Sequence, residues 1–132
     1  MPSDLVSDLT KHLQAHDAVA AAWLFGSLAE NAARPDSDID IAVLGPSPLT
    51  RSEKMELIET LARLSGRPVD LVDLQTERGP IVGTVLKTGH KLFCQNPALH
   101  GEILTRYLSD QTDWAPYRRR ILETRRHEWL ED

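Results

Sequence analysis

The chain has 132 residues, enough for one domain around a single core. Apolar residues make up 41% and charged residues 27%, which excludes disorder as the main state. The net charge of −5 argues against broad, non-specific binding to DNA or RNA, which needs phosphate-neutralising cations, but it leaves room for a nucleotide carried with a metal ion. Cys94 is the single cysteine, so no internal disulfide can form, in keeping with a reducing compartment. The first ten residues carry Asp4 and Asp8 and no long apolar run, and no segment approaches ~18 uninterrupted apolar residues. These features predict a cytoplasmic protein with no membrane contact and no direct nucleic-acid partner.

In chain order, Ser3 is placed to cap a first helix with Leu5, Val6, Leu9 and Leu13 on one face. After Asp17, the continuous apolar run Ala18 to Phe25 has the length of a buried strand, ended by Gly26. Ser27 to Ala33 reads as a short helix and Arg34-Pro35-Asp36-Ser37 as a turn. Asp38 to Leu44 is the second strand, closed by Gly45, Pro46 and Pro48. Thr50 or Ser52 starts the next helix, in which Met55, Leu57, Ile58, Leu61, Ala62 and Leu64 predict a broad buried face and Gly66 a left-handed cap.

Pro68 opens a third strand, Val69 to Leu74. A helix from about Ile81 to Lys87 follows, ended by Gly89, and His90 to Cys94 reads as a short fourth strand. Asn96-Pro97 starts a helical tail, broken near Pro116 and resumed through Leu130. Strands alternating with helices predict an α/β or α+β fold with a mixed sheet of about four strands. The expected organisation is one domain, with a core over residues 1–96 and C-terminal helices over 97–132 packed on it.

Chemistry concentrates in Leu24-Phe25-Gly26-Ser27, followed after ten residues by Asp38-Ile39-Asp40. Residues two apart on a strand share a face, so Asp38 and Asp40 stand side by side while Ile39, Ile41 and Val43 face the core. Adjacent carboxylates resist ionisation unless a cation lies between them, and oxygen-only ligands favour Mg2+ or Mn2+. A strand ending in glycine and feeding a helix offers backbone N–H groups to an anion, and the Ser27 hydroxyl adds a donor. Metal on one strand end and phosphate cradle on its neighbour together describe a nucleoside triphosphate site.

Phe25-Gly26-Ser27 through Asp38-Ile39-Asp40-Ile41-Ala42-Val43-Leu44 resembles the G-S-x10-D-x-D signature of the DNA polymerase β-like nucleotidyltransferases. The small size and Val69-Asp70-Leu71-Val72-Asp73-Leu74 look like the minimal nucleotidyltransferase (MNT) branch, the antitoxins paired with HEPN toxins. Tyr107 and Arg118 to Leu122 are loosely similar to that branch's C-terminal helices. The resemblance implies a polymerase β-like core and a third carboxylate on the next strand. Asp70 and Asp73 lie three apart and face opposite sides of a regular strand, so only one can join the site. The family pattern selects Asp70, leaving Asp73 to cap or to meet solvent.

Catalysis and metal binding are accordingly expected of Asp38, Asp40 and Asp70, and nucleotide binding of Gly26 and Ser27. The implied reaction uses ATP with two Mg2+ ions, Mn2+ being an alternative. AMP passes to a tyrosine of a HEPN RNase toxin, which makes the chain the antitoxin of a type VII toxin–antitoxin pair. Two other readings stand beside it: a small-molecule, aminoglycoside-type nucleotidyltransferase, and an antitoxin that neutralises by binding alone.

The remaining candidates carry less. Asn31 stands where many relatives have glycine, and asparagine also tolerates left-handed geometry. Arg34, Lys87 and Lys91 are either phosphate contacts or plain surface cations. His12 and His16 lie four apart on an exposed-looking helix face, and all five histidines read as structural. Arg118, Arg119, Arg120, Arg125 and Arg126, with Glu123 among them, form either a solvated helix face or a docking surface for an acidic partner or its RNA. Trp114, Tyr117, Ile121 and Leu130 supply an apolar stripe beside them.

Overall fold

A strand without a polar residue needs cover on both faces, and that requirement organises this molecule. The computed structural model describes residues 3–26 and 38–113. The elements run α1 (Ser3–Ala15), β1 (Ala21–Phe25), β2 (Ile39–Leu44), α2 (Arg51–Ser65), β3 (Val69–Asp73), α3 (Pro80–Thr88), β4 (His90–Cys94) and α4 (Pro97–Asp113). The four strands form one sheet in the order β3-β2-β1-β4. β1 runs antiparallel to both of its neighbours, while β2 and β3 are parallel. The parallel pair needs a crossover, and α2 supplies it. This is the mixed, four-stranded α+β arrangement expected from the alternating pattern.

Each face of the sheet carries its own core. On one, Ala22, Leu24, Ile39, Ile41, Val43 and Leu71 pack with Leu9 and Leu13 of α1 and Leu57 and Leu61 of α2. On the other, Trp23, Phe25, Ala42, Leu44 and Val72 meet Val82 and Val85 of α3 and Leu99, Ile103 and Tyr107 of α4. Full burial of one such large side chain contributes roughly 1.5–3 kcal/mol. The double cover explains why β1 is buried at every position. Ala18 to Ala20 precede the strand proper, yet Ala20 still donates to the Leu44 carbonyl and accepts from Gln95 N–H, both at 2.7 Å.

The ends of α2 follow its sequence closely. Glu53 N–H donates to Thr50 Oγ1 at 3.1 Å, and Thr50 N–H donates to Glu53 Oε1 at 2.9 Å, a reciprocal capping box. Gly66 closes the helix at φ 69°, in the left-handed region where glycine carries no Cβ penalty. The buried face is narrower than its leucines and isoleucine predict. Leu57 and Leu61 are buried, but Met55 is 59% exposed and Leu64 45% exposed. Met55 lies about 160° round the helix from Leu57, and Leu64 falls in the last turn, so neither meets the sheet fully.

Arg106 fastens α4 to the β3–α3 connection. Its guanidinium donates to the carbonyls of Leu74 at 2.6 Å, Glu77 at 3.1 Å and Gln75 at 3.3 Å. The expected helix at Ser27 to Ala33, the turn through Ser37 and the chain beyond Asp113, with its break at Pro116 and its arginines, lie outside the described residues.

Candidate active site

Register brings three carboxylates to one end of the sheet. Asp40 pairs with Phe25 at the end of β1 on one side and with Asp70 at the start of β3 on the other. Asp38 immediately precedes β2, two residues from Asp40. Asp38 and Asp70 are exposed and Asp40 half-buried. Ile39, Ile41 and Val43 point to the opposite core, as alternation predicts. Three acidic side chains thus stand on one face, above the core that α3 and α4 cover.

Their charges act on one another. Asp40 has its pKa raised above the ordinary 3.8, first by partial burial, then by the negative charges of Asp70 and Asp38. Among the described residues, each of these influences pushes the same way. Among the described residues, no three acidic, histidine or cysteine side chains converge tightly enough to hold a metal ion. Asp38 and Asp70 both make Asp40 harder to ionise. The donor set, all hard carboxylate oxygen, fits Mg2+ or Mn2+.

Gly26 completes the described part of the site. Its φ is 75°, and a Cβ built there would fall on Asp40 Oδ2. Both facts require glycine: the backbone turns left-handed at the end of β1, and the Asp40 carboxylate occupies the space a side chain would need. Ser27 lies outside the described residues, as do Asn31 and Arg34.

The structure separates Asp70 from Asp73. Asp73 is 4% exposed, and its oxygens accept Leu49 N–H at 2.8 Å and Gln75 N–H at 2.9 Å. It is a cap joining the loops at the other end of β2 and β3, rather than a solvent-facing group. Gln75 adds a bond from Nε2 to the Gly45 carbonyl at 2.7 Å. Gln75 and Arg106 stand outside every motif in the sequence. For Gln75 a signal existed, since an aspartate accepting from the backbone N–H two residues on is an Asx turn.

The remaining candidates lie in or beside α1, α3 and β4. Lys87 Nζ sits 5.9 Å from the centre of the Tyr107 ring. Lys91 is exposed on β4. His12 and His16 are half-buried rather than on an open face, because α2 packs against α1. His16 Nδ1 accepts Ala18 N–H at 3.2 Å, and its Nε2 lies 3.8 Å from Glu56, so its role is structural.

Comparison with known proteins decides the family. Residues 7–98 match the family described as Polymerase beta, Nucleotidyltransferase. The chain belongs to that family. Among curated proteins it is 37% identical over 71 residues to the protein adenylyltransferase MntA of Shewanella oneidensis. The match covers 54% of this chain and 51% of that protein, so the chain spans about half the length of its curated relative. Among solved structures, a toxin-antitoxin crystallised with AMP-PNP matches with a TM-score of 0.70 at 23% identity, covering 92% of this chain and 99% of the other. The tri-AMPylated Shewanella oneidensis HEPN toxin in complex with MNT antitoxin matches with a TM-score of 0.69 at 24% identity and the same coverage. At such identities these structures establish the polymerase beta-like fold.

Proposed function

We propose that this chain is a Mg2+-dependent protein adenylyltransferase, the antitoxin of a type VII pair, which transfers AMP from ATP to a tyrosine of a HEPN-type toxin in the cytoplasm. The observation that carries the reading is Asp40, made harder to ionise by Asp38 and Asp70 beside it and with its carboxylate seated against Gly26. A binding module gains nothing from three mutually repelling carboxylates, whereas a metal–nucleotide site requires them. The family match and the likeness to MntA support the same class of reaction.

In this reading Asp38, Asp40 and Asp70 would hold the metal ions that accompany the triphosphate. Such ions, when bound, lower the acceptor hydroxyl's pKa and neutralise charge on the transferring phosphoryl group. Gly26 leaves the end of β1 open to phosphate oxygens, and Ser27 adds a hydroxyl donor. Asp70, exposed at the β3 edge of the set, takes the proton as the tyrosine oxygen bonds to the α-phosphorus. The bond from that phosphorus to pyrophosphate breaks, and pyrophosphate leaves. Residues 1–96 form the catalytic unit, and residues 97–132, with their arginines, help to dock the toxin.

The test is to incubate the protein with its cognate toxin, ATP and Mg2+ and to measure intact masses. The toxin should gain the mass of one or more AMP groups, and an Asp38→Asn/Asp40→Asn double variant should add none and fail to protect cells. Full protection by that variant would establish neutralisation by binding alone. An unmodified toxin beside a labelled aminoglycoside would establish the small-molecule activity.

A further inference from the structure

We propose that Lys91 binds the terminal phosphates of the nucleotide, which makes it the cationic end of the site; this rests on the nucleotidyltransferase reading above. Lys91 is the one lysine or arginine carried by the four described strands. It pairs with Trp23 across the β4–β1 ladder, and Trp23 pairs with Ala42, two residues along β2 from Asp40. Directly paired residues share a face, so Lys91 stands on the same side of the sheet as Asp40 and Asp70. His100 of α4 confirms the side. Its ring meets Trp23 edge-on at 5.2 Å, and after burial the charge of Lys91 helps to hold its pKa below the ordinary value.

The sheet therefore sets out its chemistry strand by strand: Asp70 on β3, Asp40 on β2, Gly26 after β1 and Lys91 on β4. Two strand spacings, about 10 Å across the sheet, and two residues, about 7 Å along it, separate the middle carboxylate from Lys91. Lys91 does not figure among the charges that act on Asp40, so it is no direct counter-ion to the carboxylates. A ligand that is cationic at the carboxylates and anionic across Gly26 to β4 satisfies both ends, and a metal-bound triphosphate has that polarity. The reacting α-phosphate then lies towards Asp40 and the pyrophosphate portion towards Lys91. Lys87, four residues earlier, is already engaged over the Tyr107 ring.

A lysine on an edge strand can also serve only to deter edge-to-edge pairing. The experiment separates the two roles. Calorimetry with AMP-PNP and Mg2+ should show Lys91→Gln weakening binding by roughly tenfold, the worth of one charge-assisted contact. Lys91→Arg should restore most of the affinity, and Lys91→Glu, which still guards the edge with a charge, should weaken it further. AMP, which lacks the β- and γ-phosphates, should bind wild type and Lys91→Gln alike. Asp40→Asn serves as the control, losing the Mg2+ dependence that Lys91→Gln keeps. Wild-type affinity in Lys91→Glu, or equal losses for AMP and AMP-PNP in Lys91→Gln, would overturn the assignment of Lys91 while leaving the site reading intact. Failure of wild type to bind AMP-PNP with Mg2+ would overturn both.

Discussion

Asp70 and Asp73 stand three residues apart on one short strand and lead opposite lives. Asp73 is buried with two backbone N–H groups satisfying its oxygens, so its charge is spent on holding two loops together. Asp70 is exposed, and its charge makes its neighbour Asp40 harder to ionise. Where a carboxylate stabilises the fold, it is paired. Where it is left to repel another, the fold bears a cost that only a ligand removes. The two ends of the parallel β2–β3 pair thus divide scaffold from site.

That division is easiest to break by exchanging the roles. Asp70→Asn should cut AMP transfer by at least about a hundredfold, the scale of losing a general base, with little change in melting temperature. Asp73→Asn should do the reverse. One of its two backbone bonds goes, at about 1–3 kcal/mol, and the melting temperature falls by several degrees while the folded fraction transfers AMP at a near wild-type rate. Equal losses of transfer in the two variants would erase the distinction.

The division was partly legible in the sequence. Alternation along Asp38 to Val43 placed the aspartates and the core-facing residues on opposite sides, and the three-residue spacing on β3 allowed only one further carboxylate to join them. The strand order was not legible, because which edge β4 occupies depends on pairing between residues some seventy apart. Met55 and Leu64 are exposed, against the pattern's expectation, for a related reason. Helical spacing tells which residues share a stripe, but the width of that stripe in contact is set by the partner surface. The half-buried state of His12 and His16 depended likewise on where α2 comes to rest.

Gly26→Ala sharpens the comparison from the glycine side. Positive φ alone costs an alanine on the order of 1–2 kcal/mol, and the new Cβ would displace the Asp40 carboxylate. Transfer should fall far more than stability does, by at least about tenfold. Comparable alanine substitution at Gly101, where a Cβ meets nothing within 4 Å, should leave transfer unchanged and stabilise α4 slightly.

The smallest effect is the most specific. The folded protein holds the Asp40 proton more tightly than the unfolded chain does, so stability falls as pH rises from 3.8 through the raised pKa. Without metal, Asp40→Asn should therefore melt higher than wild type at pH 7. That advantage should shrink as pH falls towards 3.8, where wild type takes up the proton itself. Adding Mg2+ and nucleotide should reverse the order by stabilising wild type alone. Thermal melts over this pH range, with and without Mg2+, supply the check.

The central claim is that these carboxylates exist to hold a metal-bound nucleotide. Titration of AMP-PNP into the purified protein by calorimetry tests it most directly, first with Mg2+ and then with EDTA. The account predicts saturable binding with Mg2+ and its loss in EDTA; binding of equal strength in both would contradict it.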